Sequence, residues 1–187
     1  MIYFDDHIND FDLQQALNEV SPQRRQYALR YRQERDQRLS VAVYRLLHQA
    51  LLHEYGFHEP PLFTYDANGK PHLQGHLDIH FSLSHCRHAV VCALSDEPVG
   101  IDIESLDMID EMVADSVMSD REKHQIVDAE HVDIAFFRMW TMKESLYKLT
   151  GNDNGGDIKH MLEHAPPVIF ETIVYPHSVC TICRYNT

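Results

Sequence analysis

The chain has 187 residues and a formal net charge of −13, enough for one domain or two small halves sharing an interface. An acidic surface of this kind excludes general nucleic-acid binding, which needs a basic face. No apolar run approaches the roughly 20 residues that span a bilayer, and the start "MIYFDDHIND" lacks the basic and apolar stretches of a leader. A soluble, cytoplasmic protein with neither a nucleic-acid nor a membrane partner is therefore expected.

Ser21-Pro22 reads as an N-cap with proline at the first helical position. The helical pattern after it extends to about Tyr55, as one bent helix or two, with Leu39, Val43, Leu46, Leu47, Ala50 and Leu51 at helical spacing and Gly56 as its stop. Seven arginines lie between Arg24 and Arg45, against only Glu34 and Asp36. They read either as a solvated helix face or as a dock for an anionic ligand or acidic partner. A turn-rich segment follows, with Asn68-Gly69 and Pro71 marking a reversal. "DIHFSLS", "HAVVCALS" and "EPVGIDIE" then read as three strands of an antiparallel meander.

After Ser105 the pattern returns to helix. "MIDEMVADSVM" has few breakers, Ser119 and Glu122 have capping-box spacing, and "VDIAFFRMWTMKESLYKLTG" is the strongest helix, closing at Gly151. The polar stretch "NDNGGD" reads as a loop, and "PVIFETIVYPHSVCTICRYNT" as two closing strands. Cys180 and Cys183 lie three apart in the last strand, so they face opposite sides. No second pair completes a zinc site, and all four cysteines (Cys86, Cys92, Cys180, Cys183) are expected as buried thiols. Helices followed by strands occur twice, and "RHAVVCAL" has an echo in "PHSVCTIC". The expected fold is α+β: two similar α+β halves, residues 1–104 and 105–187, forming a pseudo-dimer.

The chemistry centres on "VGIDIE". Val99, Ile101 and Ile103 alternate with Gly100, Asp102 and Glu104, so two carboxylates share one strand face, roughly 7 Å apart along the backbone. Without a cation they repel and raise each other's pKa. Glu144 and Lys148 lie four apart on one helix face, with Trp140 one turn earlier. Alone this is an ordinary helix ion pair; with Asp102 and Glu104, Glu144 completes an oxygen-rich set suited to Mg²⁺ and substrate phosphates. Ser84 and His85 end a strand, where they suit phosphate contact or proton transfer. A Ser-His-Asp hydrolase is disfavoured, because adjacent side chains point apart and no G-x-S-x-G turn is present. Lys70, between Gly69 and Pro71, is a lysine on a fixed turn.

In order, "NGKPHL", "HFSLSHC", "VGIDIE" and "FFRMWTMKESLYKLTG" resemble the 4'-phosphopantetheinyl transferases, in particular their monomeric, two-halved branch. The resemblance implies that Asp102, Glu104 and Glu144 hold Mg²⁺, and that Lys148 contacts phosphate and aids the leaving group. It implies that His85, with Ser84 beside it, and Lys70 contact the phosphates of coenzyme A, and that Arg38 serves the nucleotide end. Cys86 stands where the family usually carries a small residue, often serine; early lysines of some members are unmatched, with Arg24 or Arg25 as substitutes. The implied reaction moves the phosphopantetheine arm of coenzyme A to a serine of an apo acyl or peptidyl carrier protein. Asp102, Glu144 and Lys148 are then catalytic, Glu144 is a candidate base, the protein is a monomer, and the site lies in the cleft between halves. Two other readings compete: a catalytically silent module of this fold that binds coenzyme A or a carrier, and a metal-dependent phosphoesterase.

Overall fold

A computed structural model describes residues 1–151 and 157–186. In chain order the elements are β1 (Ile2–Asp5), α1 (Leu13–Glu19), α2 (Pro22–Ala28), α3 (Glu34–Tyr55), β2 (Phe63–Tyr65), β3 (Pro71–Leu73), β4 (His80–His85), β5 (Val90–Ser95), β6 (Val99–Ser105), α4 (Glu111–Val117), α5 (Asp120–Val127), α6 (Val132–Thr150), β7 (Val168–Tyr175) and β8 (Ser178–Tyr185). The fold is α+β. No described helix is long and apolar enough to cross a membrane.

Local chemistry sets the helix ends. The Ser21 hydroxyl accepts from the Arg24 N–H at 3.2 Å, and Pro22 starts α2. The long helical run is two helices, α2 and α3, the second closed by Gly56 at φ 70°, a left-handed angle that glycine adopts without strain. Ser119 and Glu122 form the expected capping box of α5, and Gly151 (φ 67°) ends α6. Of the expected "NDNGGD" loop, residues 152–156 lie outside the described residues.

The strands form sheets of order β1-β5-β4 and β6-β8-β7, plus a β2-β3 hairpin. The expected β4–β5–β6 meander does not form. Both edges of β5 are taken, by β1 and β4, so β6 cannot extend that sheet at β5. It pairs antiparallel with β8 instead, from Val99↔Arg184 to Ser105↔Ser178. Its approach to β4 is made by a side chain: the Ser82 hydroxyl accepts from the Ile101 N–H at 3.0 Å.

Alternation then assigns the layers. Val90, Cys92 and Leu94 of β5 face α3, meeting Val43, Leu47, Ala50 and Leu51. Val91 and Ala93 face the other way, joining Val99, Ile101, Ile103, Cys180 and Ile182 in an apolar seam between the two sheets. On the far side of the second sheet, Cys183 packs under Leu146 and Leu149 of α6. All four cysteines are free and buried, with Cys180 and Cys183 on opposite faces as expected.

One contact fixes how closely α6 approaches β6. A methyl group on Gly100 would lie 1.9 Å from the Ser145 carbonyl oxygen and 2.7 Å from the Leu149 nitrogen. Only glycine leaves room for that approach, which brings the polar face of α6 down onto Asp102.

Candidate active site

Asp102 lies at the centre. It sits on the α6 side of β6 and is 3% exposed. Lys148 Nζ donates to Asp102 Oδ1 at 2.7 Å and to the Ser84 hydroxyl oxygen at 2.9 Å. The Ser84 hydroxyl donates in turn to Asp102 Oδ1 at 2.8 Å. Three residues distant in sequence, from β4, β6 and α6, thus meet at one carboxylate oxygen. The other oxygen, Oδ2, is buried with no hydrogen-bond partner, a costly arrangement for a carboxylate.

The two other acids face the same charge. Burial, then the Asp102 charge, pushes Glu104 up to about 7, although the Trp140 indole N–H donates to its Oε1 at 3.0 Å. Burial and then Asp102 also raise Glu144 above the ordinary carboxylate range. Raised acids around an unsatisfied buried oxygen are what a hard divalent cation relieves, so this donor set fits Mg²⁺. Their oxygens are not tightly gathered: among the described residues, the trio with ligand atoms all within 4.8 Å of one another is Asp5, Asp6 and His7, at the surface.

The first sheet and its connections supply the cationic side. Lys70 Nζ reaches across to the Leu149 carbonyl oxygen at 3.2 Å, and burial lowers its pKa. It lines a cavity of about 220 Å³ with Gly69, Phe81, Ser82, Tyr147 and Lys148. His85 opens onto a neighbouring cavity of about 230 Å³, walled by Arg24, Tyr27, Tyr31, Tyr65 and Ser84. Loss of surrounding water, then the Lys148 charge, pushes His85 down, so the imidazole is neutral at pH 7. A third cavity, about 370 Å³, carries Glu104 and Trp140 in its wall beside Arg35, Arg87 and Met108.

Asp102, Ser84 and Lys148 are therefore in direct contact, Glu104 and Glu144 feel the Asp102 charge, and Lys70 and His85 line the adjoining cavities. Arg38 is not brought there. Its guanidinium donates to the Phe11 carbonyl oxygen at 2.6 Å and to Glu34 at 3.1 Å, and lies 5.0 Å from the Phe11 ring centre. Arg24 instead lines the cavity beside His85: it lies 5.1 Å from the ring centres of both Tyr27 and Tyr44 and donates to Ser40 at 3.1 Å. Burial lowers its pKa. Cys86 packs in the seam between sheets, so smallness there serves packing.

Sequence reasoning passed over Ser82, the role of Gly100, and Lys143. Ser82 carried no signal, since its partner is the backbone of a different sheet. Lys143 did: Met139 and Leu146, four residues before and three after it, put it on an apolar helix face, and its side chain is 0% exposed.

Residues 98–171 match the family model of the 4'-phosphopantetheinyl transferase superfamily. The chain is 33% identical over 143 residues to the 4'-phosphopantetheinyl transferase psf-1 of Bacillus pumilus, covering 66% of this chain and 61% of that protein. To gsp of Aneurinibacillus migulanus it is 35% identical over 135 residues, 71% of this chain and 56% of the relative. To Sfp of Bacillus subtilis it is 27% identical over 153 residues, covering 80% and 68%. The chain thus spans only 61% and 56% of the first two relatives' lengths. The family match begins at the turn before β6 and continues through α6. It takes in Gly100, Asp102, Glu104, Glu144 and Lys148, the strand and helix that build the carboxylate cluster, and on that ground the chain belongs to the 4'-phosphopantetheinyl transferase superfamily.

Proposed function

We propose that this protein transfers the phosphopantetheine arm of coenzyme A to a serine hydroxyl of an apo acyl or peptidyl carrier protein, releasing adenosine 3',5'-bisphosphate. The observation that carries the reading is the meeting of Ser84, Asp102 and Lys148 at a carboxylate with one unsatisfied buried oxygen.

The expected pseudo-dimer is supported by the strand orders β1-β5-β4 and β6-β8-β7, in each of which the central strand is the last of its set. Because β6 pairs with β8, we place the division at the Asp96–Pro98 turn rather than after Glu104. All three acids then belong to the second half, and the first contributes Ser84, His85, Lys70 and Arg24. The site lies between the halves, and the protein acts as a monomer.

The side chains divide the work by charge. Arg24, with its tyrosine walls, and neutral His85 bind the nucleotide end; Lys70 and Lys148 neutralise phosphate oxygens nearer the reacting bond. Holding both reactants in line supplies much of the acceleration for such a transfer. Asp102, Glu104 and Glu144 would hold Mg²⁺, whose charge would stabilise the pyrophosphate as it breaks. The carrier serine oxygen bonds to the phosphorus of the pantetheine phosphate, and the bond from that phosphorus to the oxygen of the departing bisphosphate breaks. Glu144 takes the serine proton as the general base. Lys148 stabilises the leaving oxygen.

The experiment combines the protein with coenzyme A, Mg²⁺ and a panel of apo carriers, followed by intact-protein mass spectrometry. A carrier gaining the arm is expected. No gain on any carrier would contradict the reading, and phosphate release from coenzyme A without a carrier would favour a phosphoesterase.

A further inference from the structure

We propose that Lys143, immediately before Glu144, is a positioning residue: it sets where Glu144 stands by locking α6 to α5 and to the turn at Ile158 and Lys159. The inference rests on the transferase reading above.

The Lys143 ammonium donates to the Ile158 carbonyl oxygen at 2.9 Å and to the Lys159 carbonyl oxygen at 2.8 Å, and it forms an ion pair with Glu122 Oε2 at 2.9 Å. Glu122 is itself fixed, because the same Oε2 accepts from the Ser119 N–H at 2.8 Å in the capping box of α5. Lys143 is absent from the walls of the three cavities at the site.

Such a buried pair is a poor way to gain stability. Desolvation offsets most of the attraction, and apolar residues of similar volume are often as stable or more so. Glu122 Oε1, buried without a partner, adds to the cost. What the arrangement supplies is direction. Three oxygens around one nitrogen resist rotation of α6 in a way that apolar contacts do not. Consecutive helix residues are about 100° apart, so any rotation that releases Lys143 carries Glu144 through the same angle. On its sheet side α6 is held by the close approach to Gly100 and by the Thr141–Thr181 hydroxyl contact at 2.7 Å. Lys143 is the matching anchor on the other side. Glu144 lies between the two.

The test uses the whole chain, with Glu122→Gln as a mild break and Lys143→Met/Glu122→Leu as removal of both charges. Melting is followed by circular dichroism, and Mn²⁺ binding in the presence of coenzyme A by electron paramagnetic resonance. Transfer is assayed as a function of Mg²⁺ and coenzyme A. In the double variant we expect cooperative melting near the parent's temperature and Mn²⁺ affinity weakened about tenfold, the scale seen when supports of metal ligands are removed. The Mg²⁺ concentration for half-maximal rate should rise with it, while KM for coenzyme A at saturating Mg²⁺ stays unchanged. Glu122→Gln should show a smaller shift of the same sign. Parental Mn²⁺ affinity in either folded variant overturns the proposal. If the double variant does not fold, Glu122→Gln decides alone. A parent protein that transfers nothing would sink the transferase reading, while the Mn²⁺ comparison would still judge the lock.

Discussion

Tyr3 and Asp102 stand at corresponding places in two sheets of like order. Tyr3 pairs with Cys92 on the central strand β5; Asp102 pairs with Thr181 on the central strand β8. When "RHAVVCAL" is laid on "PHSVCTIC", Cys92 and Thr181 coincide. Each side chain points at the helix covering its sheet. The Tyr3 hydroxyl donates to Glu54 of α3, beside His53 Nδ1 at 3.1 Å. Asp102 meets Lys148 of α6. One position holds a neutral phenol with its polar group satisfied, the other a buried carboxylate with an oxygen left over. The first fastens a strand to a helix, whereas the second, in the function proposed above, would hold a cation against phosphates.

The neighbouring position differs too. Met1 exchanges hydrogen bonds with Leu94 at the end of β1, while Gly100 lies opposite Cys183. Met1 is 59% exposed, whereas beneath α6 there is no room at Gly100 even for a methyl group. On the second sheet α6 thus comes close enough for Lys148 to reach Asp102 on the strand.

The sharpest break of this comparison removes the cation from one side and its counterpart from the other. Lys148→Met should lower the transfer rate by roughly 10²–10³-fold, the scale of losing a preorganised group at developing charge. Glu54→Gln, which alters the partner of Tyr3, should change the rate by no more than about twofold, as surface changes do. Steady-state assays on a single carrier decide between them; comparable losses would erase the distinction between the two faces.

Gly100→Ala should act next most strongly. Overpacking of this kind costs about 1–3 kcal/mol, read as a lower urea midpoint. The accompanying displacement of α6 should slow transfer by up to about 10²-fold, since small misplacements of reacting groups are expensive. A variant with both properties unchanged would mean that the approach of α6 to β6 is not set by this glycine.

Smaller effects separate the two arginines. Arg24→Ala should raise KM for coenzyme A about tenfold, the cost of one charge-assisted contact, with little change in kcat. Arg38→Ala should leave KM alone, because its guanidinium is engaged at Phe11 and Glu34. The reverse result would return Arg38 to the nucleotide end.

The mildest prediction concerns pH. The folded protein holds the Glu104 proton up to about 7, above the ordinary carboxylate value. Between that ordinary value and about 7 the native state therefore binds more protons than the unfolded chain, and stability falls as pH rises through the window. In metal-free buffer the melting temperature should drop from pH 5 to pH 7.5 by less in Glu104→Gln than in the parent. Identical slopes would show that Glu104 is not raised.

Much of the second face could be read in the sequence, because its signals are local. Alternation placed Asp102 and Glu104 together on β6, and the four-residue spacing placed Glu144 and Lys148 together on α6. What escaped depends on distant partners. That β6 leaves β5 for β8 follows from the occupation of both β5 edges, a property of the assembled sheet. β1 was missed because "IYFD" is only four residues long. α1, with its mixed sequence "LQQALNE", was missed because seven residues hardly establish a period. The direction of Arg38 was hidden because a helix with arginines on several faces does not reveal which one meets the site.

The most direct test of the account sets the two corresponding positions side by side. Asp102→Ala and Tyr3→Phe are each mixed with coenzyme A, Mg²⁺ and an apo carrier that the parent protein modifies, and the carrier's intact mass is followed over time. The account predicts that Tyr3→Phe converts the carrier at close to the parent rate and that Asp102→Ala leaves it unmodified. Conversion by Asp102→Ala at the parent rate would contradict it.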